Sequence, residues 1–507
     1  MNSNLVYKKL ISRIKNKKFW AGSAPALIQT VYPFMVGFIN TNRYFKFGFK
    51  LAISNIKNFY IDQFLDEKEN IQITEKLVEI YRKNKFRKNY GIWKKILNNF
   101  YRKIEKLNRV SFSNFSDKEL LNEYLDLMSL FIKAWTIPLI LEGTAIFTEN
   151  NFFPEFKKEI SKLNLDNKII TQYFAGLSSP EKISFLGKER RDFLKLCILA
   201  KSNKNFKKDL KEHCQKFYWV HFGYVETDPI TEEETLKLIK REIAKKPASG
   251  LKEELKKFLT FEKDIIAKKK KIIKILKISK KTQEIFKAIS FFGHWIDERK
   301  EMNIRGNGVL IKYLKEIGGR VKIDYLLIGL TLPGEIKKII NNIGNPLLIK
   351  KWEKNLKQRK KGCVLVCEYK KKPILYDGKA FQEIFKNLFK KDKISKAKVL
   401  EGMVVSRQEK DCVIGKVRVI LDPAKKKILP GEILVTSMTR PDFAPLTKEA
   451  KAVITDEGGM TCHAAIVSRE MGIPCIVGTK IATKILKDGD LVELKLNHGK
   501  ILILSSR

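Results

Sequence analysis

Glycine-rich phosphate loops are missing from this sequence. Neither G-x-x-x-x-G-K-S/T nor G-x-G-x-x-G occurs in its 507 residues, which excludes a nucleotide site built on either loop. Cysteine is sparse: seven residues, scattered without metal-ligand spacing, argue against a zinc site or a disulfide scaffold and for a reducing, cytoplasmic compartment. Cys363 and Cys367 alternate on one face of a predicted strand, Gly362 to Tyr369, as small core residues do. No cleavable signal is evident. The charge-free stretch from Phe19 to Asn42 carries Ser23, Pro25, Gln29, Thr30, Pro33 and Asn40. Those residues make a poor hydrocarbon-spanning helix, so the stretch is expected to be a buried helix pair or a pocket wall, with no membrane span.

Acidic residues are also short: 56 against 101 Lys+Arg, a formal charge of +45. Residues 401–507 hold 17 basic and 13 acidic residues, so the first 400 carry 84 and 43 and a net of +41. The excess is spread over nearly every segment. Runs such as Lys268 to Lys271 decorate a solvated helix face more often than they read a base sequence. Weak, salt-sensitive association with polyanions is expected, without specific nucleic-acid binding.

What is present in the first four hundred residues is helical periodicity. Ser116-Asp117-Lys118-Glu119 and Thr231-Glu232-Glu233-Glu234 have the form of capping boxes, and Ser179-Pro180-Glu181 marks a third helix start. Helices are predicted near 117–147, 180–200, 204–220, 232–245, 250–288 and 290–317. A short hairpin, Cys363 to Tyr369 with Pro373 to Tyr376, and a helix from Ala380 to Phe389 follow. The expected organisation is multidomain α+β: a mostly helical region over 1–389, in one or two subdomains; a Lys-rich linker over 390–398; and a small β-rich domain over 399–507. In that last domain Val399 to Ser406, Val413 to Leu421, Glu432 to Ser437, Ala452 to Ile454, Leu491 to Leu496 and Lys500 to Leu504 read as strands.

Histidine is the scarcest chemical residue, with five in the chain, and one stands in a telling place. After the apolar run Ala452 to Ile454, Gly458-Gly459 supplies a turn. Thr461 onward then holds no helix breaker until Gly472 and Pro474. His463 therefore sits at a helix N-terminus, where unpaired N–H groups and the helix dipole favour an anion and lower an imidazole's pKa. A neutral ring nitrogen there can attack phosphorus. No second His, Asp or paired Cys lies at ligand spacing from it, so no metal is expected. His294, with Asp297 and Arg299, could form a second catalytic group, though a satisfied histidine on an amphipathic helix is the simpler reading. His498 reads as a solvated turn residue, and His213 and His221 carry no assigned role.

Gly458-Gly459-Met460-Thr461-Cys462-His463-Ala464-Ala465-Ile466-Val467-Ser468-Arg469 resembles, position for position, the phosphohistidine signature of the phosphoenolpyruvate-utilising enzymes. This family includes phosphoenolpyruvate synthase, pyruvate phosphate dikinase, enzyme I of the sugar phosphotransferase system and rifampicin phosphotransferase. The likeness extends upstream through Gly431 to Asp442 and downstream through Gly472-Ile473-Pro474, and covers roughly 396–505. It implies a swivelling β/β/α domain whose His463 is phosphorylated on a ring nitrogen. Gly458, Gly459, Cys462 and Arg469 would be supporting positions, Thr461 would lie where relatives can be regulated by phosphorylation, and Thr439 would belong to the loop beside the histidine. Tyr218 to Glu226, Ile296 to Glu301, Leu330 to Ile336 and Gln358 to Leu365 are similar to the helical middle region of rifampicin phosphotransferase and synthase-like relatives. In rifampicin phosphotransferase that region binds the phosphoryl acceptor. Nothing here resembles the family's ATP-grasp domain or its phosphoenolpyruvate-binding barrel. The resemblance therefore implies a phosphotransferase component without a cofactor of its own: ATP and Mg²⁺ would sit on a separate ATP-grasp partner, and the acceptor would be an unknown small molecule or protein. A non-catalytic regulatory or binding protein that keeps the fold is the alternative.

Overall fold

The computed structural model describes residues 3–388 and 399–505, apart from 16, 18, 83–85, 203–204, 226, 408–410, 424, 440 and 460–461. The expected linker, 390–398, lies outside the described residues. The chain forms two compact units: Met1–Gly143, Tyr224–Glu226 and Met302–Ser395 make the first, and Thr144–Gly223, Thr227–Glu301 and Lys396–Arg507 the second.

The first unit is built on an all-antiparallel sheet of order β1-β3-β2-β4-β5. Its strands are β1 (Phe19–Pro25), β2 (Leu51–Lys57), β3 (Tyr60–Asp66), β4 (Cys363–Glu368) and β5 (Ile374–Asp377). The helices Ser3–Ile14 and Gly378–Leu388 cover one face, where Leu10, Ile14, Phe381 and Ile384 meet Ile53, Phe64 and Val366. On the other face the helix Ile28–Phe45 places Met35 against Ser54, with Oγ to Sδ 2.9 Å. Covered on both sides, β2 is buried at every residue but its last, Ser54 and Asn55 included. Two outcomes differ from the sequence reading. The predicted hairpin forms, but as the edge of a five-stranded sheet. The 19–42 stretch is a strand paired with β3 followed by a helix, not a helix pair, because Ser23 and Pro25 suit an edge strand. Ser116 and Glu119 form the expected capping box. The helical stretch Asp117–Glu159 is long and apolar enough to cross a membrane, and 67% of its most apolar window is buried inside the fold.

In the second unit the helices Phe185–Lys201, Lys207–Phe217, Glu232–Lys245 and Ala248–Leu276 pack around Phe193, Leu194, Cys197, Leu210, Ile239 and Leu251. The capping box at Thr231 and Glu234 is present. Two predicted helix boundaries are corrected. The start near 180 lies at Phe185, because Ser184 is the N-cap and its Oγ accepts from Gly187 N–H at 3.0 Å. The break near 289 lies at Lys277, whose left-handed φ of 50° closes one helix before Lys280–Val321 begins.

The C-terminal part of this unit contains a mixed eight-stranded sheet of order β6-β13-β12-β8-β9-β10-β11-β7. The strands are β6 (Val399–Glu401), β7 (Met403–Ser406), β8 (Cys412–Val419), β9 (Ile433–Thr436), β10 (Ala452–Thr455), β11 (Cys475–Val477), β12 (Leu491–Lys495) and β13 (Lys500–Ser505). β8, β9, β10 and β11 run parallel to one another, and the last three are buried at every residue. The chain is thus mostly helical up to about residue 399, then a mixed β region of the swivelling β/β/α type. β11 went unread, since three apolar residues after Gly-Ile-Pro carry no periodicity.

Candidate functional site

Functional loops of a parallel sheet leave from the carboxyl ends of its strands. β9 and β10 pair in register from Ile433 and Ala452 to Thr436 and Thr455, so the loops that follow them emerge side by side. The pairing continues past the strands: Asp456 N–H donates to Thr436 O at 3.1 Å and Glu457 N–H to Ser437 O at 2.8 Å. Thr439 is buried in the loop that leaves β9.

The turn that leads to His463 is fixed by its glycines. Gly458 has φ +105°, and a Cβ there would stand 2.7 Å from Cys462 Sγ, so both backbone and space require glycine. Gly459 O accepts from Cys462 N–H at 3.0 Å. Cys462 is the N-cap: its Sγ accepts from Ala465 N–H at 3.4 Å, and burial pushes its thiol above the usual range. The helix His463–Met471 then buries Ala464, Ala465, Ile466 and Val467 and ends at Gly472 with a left-handed φ of 66°. His463 is its first residue, and only its backbone is described. Thr461 lies outside the described residues. The sequence-predicted glycines, Cys462 and the helix start are brought together, with Thr439 in the adjoining loop.

Arg469 serves elsewhere. It leaves the helix on another side, donating from Nε to Val405 O at 2.9 Å and from Nη1 to Ser179 Oγ at 3.5 Å, and burial lowers its guanidinium to about 10. Its neighbour Glu470 went unnoticed in the sequence. The Glu470 carboxyl accepts from Ser184 N–H at 3.1 Å and from Ser184 Oγ at 2.5 Å, while Asp297 accepts from Phe185 N–H at 3.0 Å. Two carboxyls therefore meet the start of one helix, and burial pushes Glu470 up to about 7 and Asp297 well above its ordinary value. Asp297 is thus a helix-capping group; His294, also buried, has Nε2 3.7 Å from Glu298 one turn on. A second tie to the same domain joins Lys448 to buried Glu189 at 3.6 Å, with His213 at 3.7 Å from Glu189. Against the effect of burial, Lys448 and both histidines hold Glu189 below the usual carboxylate range, and burial lowers His213 and His221.

Between the helices and the sheet of this unit lies a cleft of about 1280 Å³, lined among others by Glu149, Gln172, Lys268, Arg407, Gly458 and His498. It opens directly onto the Gly458 turn. With its amide oxygen turned to the Arg407 guanidinium, Gln172 accepts from Arg407 Nε and Nη2 at 2.9 and 3.0 Å. His498 is a turn residue, as expected, its N–H donating to Lys495 O at 3.1 Å. Among the described residues no group of three or more His, Cys, Asp and Glu could hold a metal ion.

The profile of the PEP-utilising enzyme mobile-domain family matches residues 428–499. A probable phosphoenolpyruvate synthase of Archaeoglobus fulgidus is 62% identical over 86 residues, 17% of this chain and 11% of that protein. Another of Staphylothermus marinus is 50% identical over 113 residues, 22% and 13% of the two chains. The phosphoenolpyruvate synthase of Escherichia coli is 49% identical over 86 residues, 17% and 11%. The chain therefore spans little more than a tenth of the length of these relatives. Its C-terminal segment is a PEP-utilising enzyme mobile domain, homologous to that of the phosphoenolpyruvate synthases and preceded by a helical region.

Proposed function

We propose that this chain is a phosphotransfer component in which His463 carries a phosphoryl group. The observation that carries the reading is the helix start itself: a glycine turn delivers His463 to the first position of a helix at the carboxyl end of a parallel strand. Amide N–H groups and the helix dipole there stabilise a negatively charged phosphoramidate, and they keep the free imidazole neutral and nucleophilic. The donor is a nucleotide held by a separate ATP-grasp chain, which also brings Mg²⁺ to the in-line transfer. The acceptor, a small molecule or a group on another protein, enters the cleft beside Gly458. Similarity to the synthases covers the mobile domain, so what is carried over is the carrier step and not the synthesis of phosphoenolpyruvate. Seven free cysteines support a reducing, cytoplasmic setting.

The test is intact-mass and acid-lability analysis after incubation with ATP, Mg²⁺ and a lysate of the source organism containing an active ATP-grasp protein. Wild type should gain one acid-labile phosphoryl group and His463→Ala none. Equal gain in both proteins, or none in either, would shift the reading to a regulatory protein that keeps the fold.

A further inference from the structure

Thr148–Phe152 form a π-helical turn between the helices Thr144–Phe147 and Phe153–Glu159. Such a turn inserts one residue into a helix and redirects the side chains around it, and is frequent at functional sites. Glu149 lies in this turn. Its carboxylate lies against the Cα of Gly459: a Cβ at that position would stand 1.3 Å from Glu149 Oε1 and 2.5 Å from Cδ. Gly459 has no left-handed φ, so it is the neighbouring carboxylate, not the backbone, that demands a glycine. Glu149 and Gly458 line the same cleft, and the Glu149 charge reaches Cys462, where Lys300 and Arg469 oppose it.

A carboxylate beside a helix start is poorly placed to hold a phosphate, since the two anions repel. It is well placed to remove a proton from whatever approaches that phosphate. We propose that Glu149 is a catalytic base of the carrier step, taking the proton of a hydroxyl compound lodged in the cleft as that hydroxyl attacks the phosphoryl group. This rests on the reading of His463 as carrier. The hydroxyl oxygen forms the new P–O bond while the P–N bond breaks, and the electron pair of the P–N bond returns to the imidazole. That ring, protonated on its other nitrogen, is left neutral, and the hydroxyl proton ends on the Glu149 carboxylate. Water is the simplest such acceptor and an alcohol the productive one.

The experiment needs neither the natural donor nor the natural acceptor. The full chain is loaded with potassium phosphoramidate, and loss of the phosphoryl group to water is followed by intact mass across pH, native and in urea. In wild type, native loss should exceed the unfolded rate and rise with pH as a base ionises. In Glu149→Gln it should be roughly 100-fold slower than wild type, without that rise, and Glu149→Asp should fall between. Gly459→Ala, which pushes the carboxylate aside while leaving it in the protein, should reproduce the loss with an unchanged thermal midpoint. An unaltered rate and pH profile in Glu149→Gln overturns the assignment. If His463→Ala still loads with an equal mass gain, the carrier reading itself fails and the role of Glu149 falls with it, an outcome distinct from a loaded protein indifferent to Glu149.

Discussion

At the scale of single residues, the contrast between His463 and Glu470 shows what a sequence can and cannot disclose. The placement of His463 at a helix start is legible because everything that fixes it, the two glycines, the cap and the helix, lies within a dozen residues. Glu470 is not, because its partner Ser184 is 286 residues away. Its environment nonetheless has a measurable consequence. Burial raises the Glu470 carboxyl from 4.5 to about 7 and the nearby Asp297 well above its ordinary value; Lys188 works in the opposite direction, and Glu301 adds negative charge near Asp297. A carboxyl raised in the folded state binds its proton more tightly folded than unfolded. The stability it contributes is full below the unfolded value and is lost as pH rises through the folded one. For Glu470 that window runs from 4.5 to about 7, and the effect is at most about 3 kcal/mol. Glu470→Gln is neutral at every pH and keeps an oxygen for Ser184 N–H. The urea midpoint of wild type should therefore fall between about pH 5 and pH 8, and that of the variant should fall less, leaving the variant more stable by about 1 kcal/mol at the upper end. Parallel pH dependences would mean that Glu470 is not protonated in the folded protein.

Whole elements were legible where local chemistry announces their ends. The capping boxes at Ser116 and Thr231 start helices as read, and the strands of the C-terminal domain stand within a residue or two of expectation, apart from the unread β11 and from Val399 to Ser406, which reads as one strand but divides at Gly402 into β6 and β7 on opposite edges of the sheet. The elements that were missed end or pair without a local signal. β1 and β3 pair across more than thirty intervening residues, with Phe19 opposite Asp66. The break at Lys277 has neither Gly nor Pro to mark it; Lys277 adopts φ 50°, its N–H donating to Ile273 O at 2.9 Å. The next helix is fixed from outside, by Glu159 accepting from Ser279 N–H at 2.6 Å and from Thr282 Oγ1. A lysine in the left-handed region is strained where a glycine is not. Lys277→Gly should therefore stabilise the protein by about 0.5–1 kcal/mol despite the greater freedom of the unfolded chain. A urea midpoint that stays the same or drops would show that the break is dictated by the Glu159 contacts alone.

For the molecule as a whole, the charge balance is the property most easily mistaken for a function. The net of +45 lies mainly outside the mobile domain, and part of it is already answered locally: Arg190 is paired with Glu242 and Glu254, Arg359 with Glu335, and Lys269 with Glu181. Other lysines, such as Lys268 and Lys271 at the cleft, are exposed. Spread in this way, they attract phosphate backbones without reading bases, because base recognition needs a few side chains fixed in a groove. Two duplexes of unrelated sequence should then bind with equal affinity in an anisotropy titration, and both should weaken at least about tenfold between 50 and 200 mM salt as counterions are no longer released at a gain. Discrimination between the duplexes that survives 200 mM salt would make nucleic acid a specific partner, and would require the helical region to be read as an interface in its own right.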